Sequence, residues 1–278
     1  MTTIQDHMLA ARAHMPDPDT ATLDVHLLMA HVLGKDRAYV LAHASDPLDA
    51  AQAQAFAALV ARRAAGEPYA YIVGWQAFYD LRLRVTPDVL IPRPETELLV
   101  EEALAWARQR ASLVAADIGT GSGAIAITVK RHAPHARLLA TDISLAALEV
   151  ARFNAASHAV SVEWLHGSLA QPLAEAGQQV DLLMANLPYI PSAQAAALPV
   201  SRHEPRQALD GGSDGLALVR ELLAQARQIC RPGALILLEI GAGQGTAALE
   251  AARPLMPTEA RVLHDYAGHE RIARLVLP

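Results

Sequence analysis

The sequence predicts a doubly wound α/β domain built on a largely parallel sheet, preceded by a small helical domain. Three observations carry that reading. Short apolar runs, LVAADIG, ARLLATDI, SVEWLHG, VDLLMAN and ALILLEIG, recur through the second part of the chain with helical stretches between them, the order that builds βαβ units. The first of these runs ends in a glycine-rich turn, DIGTGSG, ahead of an apolar helical stretch. From Asp19 to Gly66 the residues follow a helical period instead of a strand period. With 278 residues there is room for two domains, divided here as 1–75, helical, and 76–278, the sheet domain.

Each element follows from local pattern. Between Asp19 and Gly66, Val25, Leu28, Met29, Val32 and Leu33 fall at i, i+3, i+4, i+7 and i+8 on one helix face. Thr20 is placed to cap that helix and Gly34 to stop it. A second helix is signalled by Ser45 and Asp46 ahead of Pro47, runs through Phe56, Leu59 and Val60, and ends near Gly66 and Pro68. From Pro68 to Arg93 the residues Tyr69, Tyr71, Ile72, Val73, Trp75, Phe78 and Tyr79 are β-formers, LRLRV alternates, and Pro87, Pro92 and Pro94 interrupt the chain. A short β-hairpin or an extended linker is expected there. The final run, ARVLHDYAGHERIARLVLP, fits two strands at the sheet edge with a turn near Ala267 and Gly268.

Composition excludes several function classes. No apolar run approaches the roughly 18 residues of a membrane helix, and the opening MTTIQDHMLAARAHMPDPDT lacks the apolar centre of a signal peptide. A soluble, cytoplasmic protein without membrane association is expected. The single cysteine, Cys230, excludes an internal disulfide and a cysteine-clustered zinc site, and it reads as a small core residue. The twelve histidines repeat no ligand spacing, so no metal is assigned. A formal charge of −6 argues against a broad nucleic-acid footprint.

Two motifs carry chemistry. In AADIGTGSGAIAI, Asp117 stands at a strand end, and Gly119, Thr120, Gly121, Ser122 and Gly123 form the turn before a helix. Glycines there let backbone approach a ligand closely beside a polar, positive helix N-terminus. A dinucleotide site wants G-x-G-x-x-G, but Ala124 stands at its third glycine, which disfavours a nicotinamide-dependent dehydrogenase. Nineteen residues beyond Gly123, Asp142 ends the next apolar run, where a carboxylate can accept both hydroxyls of a ribose or cap the next helix. After the third run, HGSLAQP offers Ser168 or Leu169 to an adenine. The second motif is Asn186, Leu187, Pro188, Tyr189, directly after VDLLMA. A carboxamide, a rigid turn and an aromatic ring suit a planar amine or amide: Asn186 offers a side-chain carbonyl, the turn a backbone carbonyl and Tyr189 a stacking face. Glu95 and Glu97, after Pro94, read as the acids of an ordinary helix start. Glu204, Arg206 and Asp210 lie in a loop bounded by Pro205 and Gly211, where a structural ion pair and a substrate contact are equally compatible with the sequence.

With these motifs, YIVGWQAFYDLRLRVTPDVLIPRPETELLVE, EPRQALDGGSDGL, LLEIGAGQG and DYAGHERI, the chain resembles the peptide-chain release factor glutamine methyltransferases over essentially its whole length. The resemblance implies a class I (Rossmann-like) methyltransferase sheet dependent on S-adenosyl-L-methionine and an N-terminal helical domain that docks the substrate. It also implies methylation of the glutamine side-chain amide in the Gly-Gly-Gln loop of class I release factors. By motif, Gly119 to Gly123, Asp142, Leu169 and Asn186 would contact the cofactor; Asn186 to Tyr189 would hold the glutamine, with Asn186 and Tyr189 catalytic. A monomer without direct nucleic-acid contact is expected. Leu187 replaces the first proline of the family's usual N-P-P-Y. N-L-P-Y is also the form of rRNA adenine dimethyltransferases, so an adenine amino-methyltransferase acting on RNA or DNA is the alternative; EPRQALDGG and IPRPETE are not features of those enzymes.

Overall fold

A computed structural model describes residues 2–278. The chain divides into two compact units, Met1–Trp75 and Gln76–Pro278.

The first unit is helical: α1 (Ile4–Arg12), α2 (Ala21–Leu33), α3 (Arg37–Ala42), α4 (Ala50–Ala64) and α5 (Tyr69–Val73). Its core gathers Ile4, Met8, Val25, Leu28, Met29, Val40, Phe56 and Ile72. Gly34 ends α2 in the left-handed conformation, as its position suggests. Thr20 is the N-cap residue of α2, but its hydroxyl makes no cap hydrogen bond and is directed to Asp17 and Asp24 instead. The helix expected after Pro47 begins later, at a reciprocal box in which Asp49 accepts from the Gln52 amide and Gln52 from the Asp49 amide. YAYIV, read as strand-forming, is the helix α5. Pro68 precedes it and left-handed Gly74 follows it, and burial of Ala70, Tyr71 and Ile72 outweighs their β-propensity.

The second unit begins within the hairpin of β1 (Trp75–Phe78) and β2 (Leu81–Arg84). A 3-10 turn at Pro94–Thr96 leads into α6 (Glu97–Ala107). There follow β3 (Leu113–Ile118), α7 (Ala124–His132), β4 (Ala136–Asp142), α8 (Leu145–Ser157), β5 (Glu163–His166), α9 (Gln171–Glu175), β6 (Val180–Ala185), α10 (Ser192–Ala195), α11 (Ala217–Ile229), β7 (Cys230–Glu239), α12 (Gly245–Ala252), β8 (Glu259–His264) and β9 (Glu270–Val276). The sheet order is β5-β4-β3-β6-β7-β9-β8. Strands β5 to β7 pair in parallel, and β9 and β8 add antiparallel at the edge.

Both faces of the sheet are covered, which is why its strands read as continuous apolar runs. Ala115, Leu182, Met184, Leu235 and Leu237 pack toward α6 and α7. Ala116, Ile118, Leu183, Ile236 and Leu238 pack toward α11 and α12. The chain winds outward through β3, β4 and β5, then returns to place β6 on the other side of β3. The crevice of a doubly wound sheet opens at that reversal, beyond the C-terminal ends of β3 and β6, and both sequence motifs lie there. Among the described residues no helix is long and apolar enough to cross a membrane.

Candidate active site

The turn from β3 into α7 is the first wall. Gly119, Gly121 and Gly123 all have positive φ (71°, 55° and 83°), a region that side chains rarely adopt. The amides of Gly119 and Thr120 both donate to the Thr141 carbonyl at 2.9 Å, and Gly121 N–H donates to Asp142 Oδ2 at 2.8 Å. The turn is thus pinned to the end of β4. Beneath it Asp117 is fully buried; its Oδ2 accepts from the Thr120 hydroxyl at 2.6 Å and the Ala126 amide at 3.2 Å. Burial pushes its carboxyl up to about 7 despite those two donors, with Asp142 adding to the rise.

Asp142 is buried at the end of β4. Its Oδ1 accepts from Ser144 N–H at 2.8 Å, while Ser144 itself caps α8 through the Ala147 amide. The carboxylate therefore braces two turns and keeps further lone pairs for a ligand. Burial raises its pKa, opposed by the amides of Ser144, Gly121 and Ile143. Leu169 holds a left-handed backbone, φ 48°, fastened where its carbonyl accepts from the Thr141 hydroxyl at 2.7 Å.

The opposite wall is Asn186 to Tyr189, after β6. Asn186 Nδ2 donates to the Thr96 hydroxyl oxygen at 3.0 Å. Leu187 is buried, and a Cβ added at Gly119 would lie 3.1 Å from its Cδ2, so this side chain packs the two motifs together. Around the turn, glycines make room for backbone. A Cβ at Gly211 would lie 2.5 Å from the Pro188 carbonyl oxygen, and one at Gly215 would lie 2.1 Å from that of Tyr189. Gln244 Nε2 donates to the Tyr189 carbonyl at 2.9 Å, so that carbonyl is already engaged. Arg93 and Glu204 close the rim: Arg93 donates to both carboxylate oxygens, at 2.7 and 2.8 Å, and the Glu204 side chain is fully buried.

Gly119, Thr120, Gly121, Ser122, Asp142, Leu169, Asn186, Leu187 and Pro188 line one cavity of about 780 Å³, joined by Ser168, Ile143, Thr96 and Arg93. Both Ser168 and Leu169 reach it. Two of the residues chosen from sequence stand behind its wall. At Gly123 an added Cβ would meet Ile127 at 2.7 Å, which makes it a helix-packing glycine; Tyr189, half-buried, faces the Glu239 carboxylate, and burial pushes its phenol up to about 12. Sequence reasoning passed over Thr96, Gln244 and Glu239. Glu239 left a signal: an acid inside the apolar run ALILLEIG, where acids are rare unless paired.

Residues 10–74 match the family described as PrmC N-terminal domain, and residues 94–202 match the methyltransferase small domain. The release factor glutamine methyltransferase of Bordetella pertussis is 43% identical, over 93% of this chain and 96% of that protein. Its counterpart in Moorella thermoacetica is 45% identical, over 90% and 89%. The chain belongs to the release factor glutamine methyltransferase family. Solved structures agree in fold: a Pyrococcus furiosus methyltransferase superimposes with TM-score 0.55 at 18% identity, covering 72% of this chain and 90% of that one. A ribosomal protein L11 methylase from Lactobacillus delbrueckii subsp. bulgaricus gives 0.51 at 21%, covering 73% and 89%. The domain and fold are those of an S-adenosylmethionine-dependent methyltransferase, and the residues of the cavity fit that donor. A Cβ at Gly121 would meet nothing within 4 Å, so the glycine leaves open room beside the turn, and Asp142, in the cavity lining, is the residue that would accept from a ribose diol.

Proposed function

We propose that this enzyme methylates the side-chain amide nitrogen of the glutamine in the Gly-Gly-Gln loop of class I release factors. The observation that carries the reading is the Asn186 carboxamide. With Nδ2 tied to Thr96, its Oδ1 is the group left to accept from a substrate N–H, in the same cavity as the glycine turn and Asp142.

S-adenosylmethionine supplies an electrophilic methyl on a sulfonium. The acceptor nitrogen must sit in line behind that methyl, so positioning carries most of the catalysis. An amide nitrogen is a poor nucleophile because its lone pair is delocalised. Asn186 Oδ1, accepting a hydrogen bond from one of its N–H groups, would orient the nitrogen and polarise that bond, and the proton released on methylation would pass to solvent. The products are N-methylglutamine, the thioether and a proton. Pro188 holds the turn, and Tyr189 packs behind it with its hydroxyl toward Glu239.

The helical unit, residues 1–75, is assigned to docking the release factor, and the enzyme to the cytoplasm as a monomer without direct nucleic-acid contact. The test incubates the protein with labelled S-adenosylmethionine and intact release factor, its loop Gln→Ala variant, or deproteinised ribosomal RNA. Label is expected on the intact factor alone; label on RNA and none on the factor would establish the adenine amino-methyltransferase alternative. Asn186→Ala should lower turnover by roughly a hundredfold or more, and near-normal methylation by that variant would remove the acceptor role given to Asn186.

A further inference from the structure

Glu239 lies at the C-terminal end of β7, 2% exposed, and its Oε2 is buried with no hydrogen-bond partner. A buried carboxylate is expensive to keep, and leucine would suit this apolar strand better. The hydroxyls of Thr96 and Tyr189 both face it and favour its ionised form. Thr96, itself 4% exposed, is also the oxygen that receives Asn186 Nδ2 at 3.0 Å.

We infer that Glu239 is a positioning residue that sets the direction of a hydrogen-bond chain, from Glu239 through Thr96 to Asn186, and so decides which end of the Asn186 carboxamide meets the substrate. The inference rests on the methyl-transfer reading above. An ionised carboxylate can only accept. The single Thr96 proton is therefore directed to Glu239, and the Thr96 oxygen is left to accept. A carboxamide beside that oxygen must offer it Nδ2, which turns Oδ1 toward the acceptor amide. A neutral group at position 239 has a donor as well as an acceptor, so the chain is no longer held one way and every link can reverse. In the reversed chain that group donates to Thr96, Thr96 donates to Asn186 Oδ1, and Nδ2 is turned to face the N–H groups of the substrate.

Protonation opens the same reversal, because the carboxyl gains an O–H donor. Burial dominates the environment of Glu239 and pushes its carboxyl up to about 7. Among its neighbours Arg271 on β9 favours the ionised form and Glu95 on the 3-10 turn opposes it, while Thr96 and Tyr189 face it with hydroxyls. The ionised form, present above that value, is the one that directs Asn186 correctly. Turnover at saturating substrates should therefore fall as pH drops through about 7.

The experiment measures kcat against pH, and S-adenosylhomocysteine affinity by calorimetry, for the wild type, Glu239→Gln, Thr96→Val, Thr96→Ser and Asn186→Ala with intact release factor. Glu239→Gln is expected to lose about 10- to 100-fold in kcat, to lose the acid limb, and to bind S-adenosylhomocysteine within about threefold of wild type, which also reports that it is folded. Thr96→Val should behave alike, Thr96→Ser should stay near wild type, and the Glu239→Gln/Thr96→Val pair should be no worse than the poorer single variant. Wild-type kcat in Glu239→Gln, or an acid limb that survives in it, overturns the inference when Asn186→Ala is inactive. Activity in Asn186→Ala instead overturns the underlying reading, so the two failures are distinguishable.

Discussion

The two walls of the cavity are built alike and held differently. Each stands on a buried acid backed by a threonine: Asp117 with Thr120 under the glycine turn, Glu239 with Thr96 under the acceptor turn. In each acid one oxygen, Asp117 Oδ1 or Glu239 Oε2, is buried without a hydrogen-bond partner. The glycine turn draws its support from nearby chain, with Thr120 and Ala126 on Asp117 and the end of the adjacent strand on Gly119, Thr120 and Gly121. The acceptor turn is supported by segments far apart in sequence: Thr96, Gly211, Gly215, Glu239 and Gln244. A locally held turn survives as a motif, whereas a turn held by distant partners depends on the whole domain being assembled.

Breaking the acceptor wall from a distance gives the largest expected effect. Gly215 has φ 79°, and a Cβ there would lie 2.1 Å from the Tyr189 carbonyl oxygen and 2.5 Å from Gln244 Nε2. No rotamer change relieves a clash with backbone, so Gly215→Ala must displace the Asn186–Tyr189 turn. We expect kcat to fall by roughly a hundredfold while S-adenosylhomocysteine affinity, measured calorimetrically, stays within about threefold. Equal loss of both would show that the two walls are not independent.

The cofactor wall should give the complementary result. Asp142→Ala removes the carboxylate that receives Gly121 and Ser144 N–H and the lone pairs that would accept from a ribose diol. Affinity for S-adenosylhomocysteine is expected to drop about 10- to 100-fold, with kcat at saturating cofactor changed far less. A variant with intact affinity and depressed kcat would move Asp142 to the acceptor side.

The same contrast explains what could be read from the sequence. The parallel strands were legible because burial on both faces leaves unbroken apolar runs, and the β8–β9 hairpin because Gly268 marks its turn. The glycine turn and Asp142 were legible because their spacing is local. Gly123 lies outside the cavity lining and packs over Ile127, a use that the spacing of its motif does not show. Tyr189 was expected to offer a face to the substrate, and nothing in N-L-P-Y shows that Glu239 waits behind it. In the helical unit the start of α4 was misplaced because Pro47 is a louder signal than the Asp49–Gln52 box, and α5 was missed because tertiary burial overrode β-forming residues. The helix α1 escaped notice because only Ile4, Met8 and Ala11 mark its buried face.

The smallest expected effect tests whether the two buried acids are equivalent. Both carboxyls are pushed by burial to about 7, from ordinary values of 3.8 and 4.5. Between the ordinary and raised values the folded protein holds protons that the unfolded chain has released. Stability supplied by each group is therefore complete below its ordinary value and is lost as pH rises through about 7. Each group contributes a slope of at most about 1.4 kcal/mol per pH unit, seen as a fall in Tm of roughly 2–4 °C per unit. Asp117→Asn and Glu239→Gln should each flatten the Tm-against-pH curve measured by calorimetry between pH values of about 5 and 7. Only Glu239→Gln should also remove the acid limb of kcat, because stability prefers Glu239 protonated and the acceptor wall needs it ionised. If Asp117→Asn removes that limb as well, both acids govern turnover, and the local and the distant wall titrate as one site.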